Sequence, residues 1–260
     1  MSKLCVVTSV YNIRKTRPLE YYLTPTIDLI DDMSGSDVEI CVFTDQCKDK
    51  FGVAENIRVF NYPPDFFIKS MWDDADWRNK YLTKRANSTG EVIPELISIW
   101  LGKFMMMQMA LNSNVDRILW QDSGIRGHFF KHYKSQRYKK KKLYPSVYNA
   151  STQNLLEKHK IVLMHYQDLN NVIQHGVDMT KYNTKKSMMA GLMLCDASEI
   201  HNLAAGIKQK WNLLIENDDY GTEETALSLY YSENENRIGT MIYPEWVDCL
   251  RLISTKRIYM

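Results

Sequence analysis

Arg117-Ile118-Leu119-Trp120-Gln121-Asp122-Ser123-Gly124-Ile125 is the stretch on which the fold turns. A short apolar run stops abruptly at a polar pair followed by two small residues, which is how a buried strand ends in a turn. Asp122 is thereby presented at a strand's carboxyl end, where open α/β sheets place their ligands. Upstream, the Asn112 to Asn114 break separates this strand from a helix over residues 94–111. Pro94 suits its first turn, and Leu96, Ile99, Trp100, Phe104, Met107 and Leu111 recur on one face. The methionines at 105–107 and 109 read as core filler.

Further out, residues 4–10 form a continuous apolar, β-branched run of the kind buried on both faces of a parallel sheet. A helix is expected over residues 19–30, a second strand over 38–43 and a third over 57–61, with the Pro63-Pro64 pair opening an irregular excursion to about Gly90. Strands are also expected at 161–166 and 188–195, and helices at 198–215 and 222–231. The order predicts one α/β domain over residues 1–260: a doubly wound, mixed and mostly parallel sheet flanked by helices. Nucleotide binding is expected in the half up to about residue 125, and acceptor binding from about 126 onward.

Composition narrows the function. Hydrophobic residues at 45% and charged residues at 25% are ordinary for a globular chain, which argues against disorder or a fibrous repeat. A net charge of +2 is too small for wholesale nucleic-acid binding, so no nucleic acid is expected as partner. The five cysteines include no Cys-x-x-Cys pair, and three sit in apolar runs, which fits reduced thiols. No signal peptide is evident, and residues 97–111 are interrupted by Gly102, Lys103 and Gln108 and fall short of the roughly 20 apolar residues of a membrane span. A cytoplasmic location is the expectation.

Lys103-Phe104 through Leu111, followed by Asp116-Arg117-Ile118-Leu119-Trp120-Gln121-Asp122, resembles the segment of GT-A-type glycosyltransferases in which a helix carrying a lysine precedes an apolar strand ending in Asp-x-Asp. More narrowly, Tyr11-Asn12 and Trp120 to Ile125 resemble the HtrL/YibB family of bacterial glycosyltransferases. Downstream, Met189-Ala190-Gly191-Leu192-Met193-Leu194 resembles the Asn-Ala-Gly-Val-Met-Leu strand that such enzymes set behind the donor sugar, where a small pair lets the backbone approach. A strand with a bulge accounts for Ala190-Gly191 equally.

The resemblance implies a GT-A-like fold, a UDP- or GDP-sugar donor, a glycan, lipid-linked or protein hydroxyl acceptor, and a divalent cation, manganese, on Asp122. One departure bears on the metal. The family's second Asp falls on Gly124. Asp122 then works with water and another carboxylate, or metal dependence is weakened or lost. An Asp that only opens a turn with Ser123-Gly124 is the competing reading of the same residues.

Tyr11, Asn12 and Arg14 after the first strand and Asp45 after the second are where a nucleotide would lie. Together with Thr8, Lys103, Gln121, Asp122, Ser123, Ala190 and Gly191 they are the expected donor-binding set. Glu223 and Glu224, in Gly221-Thr222-Glu223-Glu224-Thr225-Ala226-Leu227, resemble the acidic helix start that faces the acceptor, where a carboxylate takes the proton of the attacking hydroxyl or steadies the donor sugar. Glu224 is preferred: its place beside the apolar face shields it, and successive helical residues point about 100° apart, so only one is expected to face the reaction. Helix-terminus charge complementarity alone also explains the pair.

Two rival functions follow from other residues. The run Lys139 to Lys142 suits an anionic surface, glycan or nucleic acid, including peripheral contact with a membrane. His128 and His132 with Asp122 suggest a metal-dependent hydrolase. Asp74-Ala75-Asp76 is a literal Asp-x-Asp, but no buried strand delivers it. Replacing Asp74 and Asp76 together with Asn should leave sugar-nucleotide affinity, measured by calorimetry, unchanged; a loss matching that of Asp122→Ala would move the site to them.

Overall fold

In a computed structural model of the chain, residues 3–13, 17–33, 36–52, 54–71, 75, 79–84, 94–125, 150–165, 173–184 and 186–242 are described. The strands are β1 (Leu4–Val10), β2 (Glu39–Thr44), β3 (Ile57–Asn61), β4 (Arg117–Gln121), β5 (Ile161–His165), β6 (Ile173–Gln174), β7 (Val177–Asp178), β8 (Met188–Asp196) and β9 (Ile238–Ile242). The helices are α1 (Glu20–Met33), α2 (Phe66–Met71), α3 (Pro94–Met109), α4 (Ala150–Lys158), α5 (Ile200–Glu216) and α6 (Glu223–Glu233).

The main sheet has the order β3-β2-β1-β4-β8-β5-β9. Its pairs are parallel except where β8 runs antiparallel between β4 and β5. This is the mixed, mostly parallel, helix-flanked sheet that the sequence predicts. β1 is buried at every position because both faces of the sheet are covered. Cys5 and Val7 enter a core with α3, α5 and α6, whereas Leu4 and Val6 enter a second core with α1 and α4. The same alternation runs along β4, with Ile118 and Trp120 on the first face and Leu119 on the second.

β8 breaks the rule. Against β5 the register advances from Val162 to Met164 while β8 runs from Leu194 back to Met189, so β8 carries extra residues as a bulge. Met188 and Ala190 share a face with Met193 and Cys195. The phase therefore slips at Gly191, as the bulge reading of Ala190-Gly191 has it.

Several sequence expectations change. The excursion after Pro63 is not irregular throughout, since it contains α2 and a helical stretch at 79–84. α4, β9 and the β6–β7 hairpin were not anticipated, being short or polar segments without a clear period. α3 is not buried along a single stripe: Ile97, Leu101 and Met106 are buried too, because the helix packs on α2 and α5 as well as on the sheet. Cys5 and Cys41 bring their sulfurs to 3.4 Å between β1 and β2, and both are free thiols.

Gly102 is where α3 meets α2. A Cβ there would lie 2.5 Å from Phe67 Cβ, an atom fixed to the backbone that cannot swing aside. Gly to Ala within a helix ordinarily stabilises, by up to about 1 kcal/mol. Here Gly102→Ala is expected to destabilise by about 1–3 kcal/mol through overpacking, read from the urea midpoint. An unchanged or raised midpoint would mean that the two helices separate freely.

Candidate functional site

A cavity of ≈ 260 Å³ opens beyond the carboxyl ends of β1 and β4. Ser9 and Tyr11 reach it from β1 and its following loop, and Asp122, Ser123 and Gly124 from the turn after β4. One face of α3 contributes Leu96, Ile99, Trp100 and Lys103, spaced as a single helical stripe. Part of the apolar stripe that the sequence places on one face of the helix thus walls a cavity. Thr222, Glu223 and Glu224 close it from the start of α6, with His175 beside them and Arg17 and Tyr22 opposite in sequence, from the N-terminal half.

The turn that presents Asp122 is built by backbone bonds. Its N–H donates to Gly191 O at 2.9 Å, continuing the β4–β8 ladder one residue past the strand, and its carbonyl accepts from Ile125 N–H at 3.1 Å. Asp122 therefore does open a turn, as the plain reading holds, yet its side chain has specific partners. Trp120 Nε1 donates to Oδ1 at 2.8 Å, and Lys103 Nζ lies 3.0 Å from the same oxygen.

Lys103 is only 2% exposed and has a second carboxylate at 2.9 Å, Glu223 Oε1, together with Ala190 O at 3.2 Å. Burial by itself would lower the lysine pKa, but the Asp122 and Glu223 carboxylates outweigh it and raise the pKa above its usual range. The group stays an ammonium. Burial raises the Glu223 pKa; Lys103 opposes that rise, and the Glu224 and Asp122 charges add to it.

The start of α6 is held in place by its own residues. Thr222 N–H donates to Thr225 Oγ1 at 3.1 Å, and Tyr81, from the stretch after Pro63, donates its hydroxyl to Gly221 O at 2.7 Å. Any Cβ at Gly221 would meet Thr225 Cβ at 2.6 Å. The two glutamates then diverge, Glu223 toward Lys103 and Glu224 toward Ala190 N–H at 3.2 Å and His175 Nε2 at 2.7 Å. Both line the cavity, contrary to the expectation that only one would, because the cavity wraps around the helix terminus.

Tyr11, Lys103, Asp122, Ser123, Glu223 and Glu224 are brought together at the cavity. Ala190 and Gly191 lie directly behind it through their bonds to Lys103, Glu224 and Asp122. Thr8 and Gln121 are buried within β1 and β4 and are not part of the lining. Asn12 and Asp45 are exposed outside it, although the Asp45 charge adds to the burial that pushes the Tyr11 hydroxyl pKa up. Arg14, Asp74, Asp76, His128, His132 and Lys139 to Lys142 lie outside the described residues. The sequence reading missed His175, Tyr22 and the aromatic wall at Trp100. His175-Gly176 between two short runs is a hairpin signal that could have drawn attention to the first.

Among the described residues, the carboxylate expected to hold a divalent metal is already engaged, and the place of the second Asp is tight. Asp122 already accepts from Trp120 and pairs with an ammonium, and a Cβ at Gly124 would press on Tyr21 Cε1 at 3.3 Å, so the position of a second carboxylate is crowded. Among the described residues, the group of side chains close enough to share an ion is Cys5, Glu39 and Cys41, near the amino ends of β1 and β2. No helix among the described residues is long and apolar enough to cross a membrane.

No family model and no curated protein matches the chain. Among solved structures, the chain is similar to mouse xyloside xylosyltransferase 1 in its apo form, with 10% identity, a TM-score of 0.48, and coverage of 91% of this chain and 84% of that one. It is also similar to 4-diphosphocytidyl-2C-methyl-D-erythritol synthase from Anaerococcus prevotii, with 10% identity, a TM-score of 0.41, and coverage of 96% and 95%.

Lys103 offers a direct test of that geometry. Lys103→Met leaves Asp122 and Glu223 without their shared counter-charge, and removing one partner of a buried ion pair costs about 3–5 kcal/mol. Urea unfolding should show a loss of that order, whereas a loss below about 1 kcal/mol would place the carboxylates in contact with water and the ion cluster outside the core.

Proposed function

We propose that this chain is a glycosyltransferase that moves a sugar from a nucleoside-diphosphate sugar, with UDP or GDP as carrier, to a hydroxyl acceptor on a glycan, lipid-linked or protein substrate. The observation that carries the reading is the cavity's division of labour. Its lining combines an apolar and aromatic wall, from Tyr11, Ile13, Tyr22, Leu96 and Trp100, with a charged floor, the Lys103-Asp122-Glu223 cluster.

At the same cavity the Tyr11 hydroxyl and Glu223 Oε2 are buried polar atoms without a hydrogen-bond partner, and both residues line it. Buried groups of this kind are costly unless a ligand pairs with them. A sugar carries several hydroxyls that both donate and accept, which suits a donor-rich and acceptor-rich floor. The aromatic wall suits the base. Arg17, stacked over Tyr21 at 5.0 Å, gives the cavity a second cation for phosphate oxygens. The sequence resemblance to GT-A enzymes, and within them to the HtrL/YibB family, points to the same chemistry.

On this reading the acidic pair divides its work. Glu223 serves the donor side through Lys103, and Glu224 the acceptor side. A thermal-shift panel of UDP, GDP and their sugars, with manganese or with EDTA, tests it. Stabilisation by one sugar nucleotide is expected, equal in both conditions because Asp122 is already held by Lys103. Asp122→Ala should lose that shift, whereas Glu224→Gln should keep it while donor turnover falls about 100-fold or more. A wild-type protein that no sugar nucleotide stabilises sinks the proposal.

A further inference from the structure

β6 and β7 join through His175 and Gly176, with Gln174 paired to Val177 and φ of 52° and 84° at the two turn residues. Positive φ at both central positions is the geometry of a two-residue hairpin loop, normally supplied by Asn-Gly or Asp-Gly. A histidine in the left-handed region is uncommon and carries a backbone cost. What the fold gains is the place of the imidazole. His175 lines the cavity, and its Nε2 stands 2.7 Å from Glu224 Oε2.

The hairpin is anchored. Gln174 Nε2 donates to Met188 O at 3.4 Å, and its Oε1 lies 2.9 Å from Ser228 Oγ, one turn beyond Glu224 on α6. Ser228 Oγ in turn accepts from Met188 N–H at 2.8 Å. β8, α6 and the hairpin thus form one unit around Glu224, whose other carboxylate oxygen accepts from Ala190 N–H at 3.2 Å. The His175 side chain is 38% exposed and that of Glu224 14%, so the ring stands at the mouth and the carboxylate behind it. Glu223 is unsuited to the same role, being 6% exposed and bound to Lys103.

We infer that His175 and Glu224 form a carboxylate–imidazole dyad in which His175 takes the proton of the incoming hydroxyl and Glu224 fixes the ring and balances its charge. This rests on the transferase reading above and changes the role of Glu224 within it, from base to orienting group. In the step, the acceptor oxygen bonds to the sugar's anomeric carbon as the bond from that carbon to the diphosphate oxygen breaks. The bonding pair leaves with the nucleoside diphosphate, and the hydroxyl proton passes to the imidazole.

The test uses the full chain with whichever of UDP-glucose, UDP-galactose, UDP-xylose or GDP-mannose raises its melting temperature, following nucleoside-diphosphate release with water as the hydroxyl acceptor. His175→Asn keeps a residue that tolerates the left-handed turn while removing the base, and His175→Ala opens room for added imidazole. Release is expected to fall about 100-fold or more in both variants with the donor-induced thermal shift unchanged, and imidazole should restore part of the rate in His175→Ala. A structural role alone would not respond to imidazole. Either variant turning over at more than half the wild-type rate, or a loss of rate that imidazole leaves untouched, overturns the dyad while leaving the transferase reading in place. Absence of any donor-induced shift in the wild type overturns both.

Discussion

One buried ammonium group, that of Lys103, constrains the segments around it. Lys103 sits in the middle of α3, where the helix is covered by the sheet and by neighbouring helices, so its charge has no access to bulk water. A charge so placed is stable only when it is paired and its donors are used. Its partners come from three other elements: Asp122 from the turn after β4, Glu223 from the first turn of α6 and the Ala190 carbonyl from β8. These segments are far apart in the chain, and the ammonium requires their polar groups at one point. The cluster lies under the cavity, so the demand that stabilises the fold also shapes the site.

The antiparallel strand β8 completes this arrangement. An unbroken ladder would spend the backbone groups of Ala190 on neighbouring strands; with the register to β5 interrupted there, its carbonyl faces Lys103 and its N–H faces Glu224. The small residues at Ala190-Gly191 let side chains from α3 and α6 come this close to the backbone. The bulge is thus the reason that the two glutamates of one helix turn have different surroundings, one against an ammonium and the other against a backbone donor and an imidazole.

Much of the scaffold was legible because it depends on local signals. The β-branched run of β1, the Pro-initiated α3 and the arrest of β4 at Gln121-Asp122 follow from period, propensity and turn chemistry within a few residues. Elements without those signals escaped: α4 is polar and short, and β6 and β7 are two residues each. The use of Leu96, Ile99 and Trp100 as cavity lining escaped for a similar reason. Helical period identifies a face but does not say whether that face meets another element or an open cavity.

From the sequence alone came the mixed α/β sheet, the exposure of Asp122 at a strand end and the nomination of Lys103, Glu223 and Glu224 as residues of one chemistry. The pairing of those residues was decided only by the tertiary structure. Nothing local in residues 94–109 tells that Lys103 will be desolvated, and it is desolvation that makes Asp122 and Glu223 obligatory partners and occupies the carboxylate the sequence reserved for a metal. Likewise His175 carries no mark in sequence beyond the glycine after it. Its role arises because a hairpin docked on Met188 and Ser228 brings it within 2.7 Å of a carboxylate 49 positions away, a contact set by packing between segments and therefore invisible to any reading of one segment at a time.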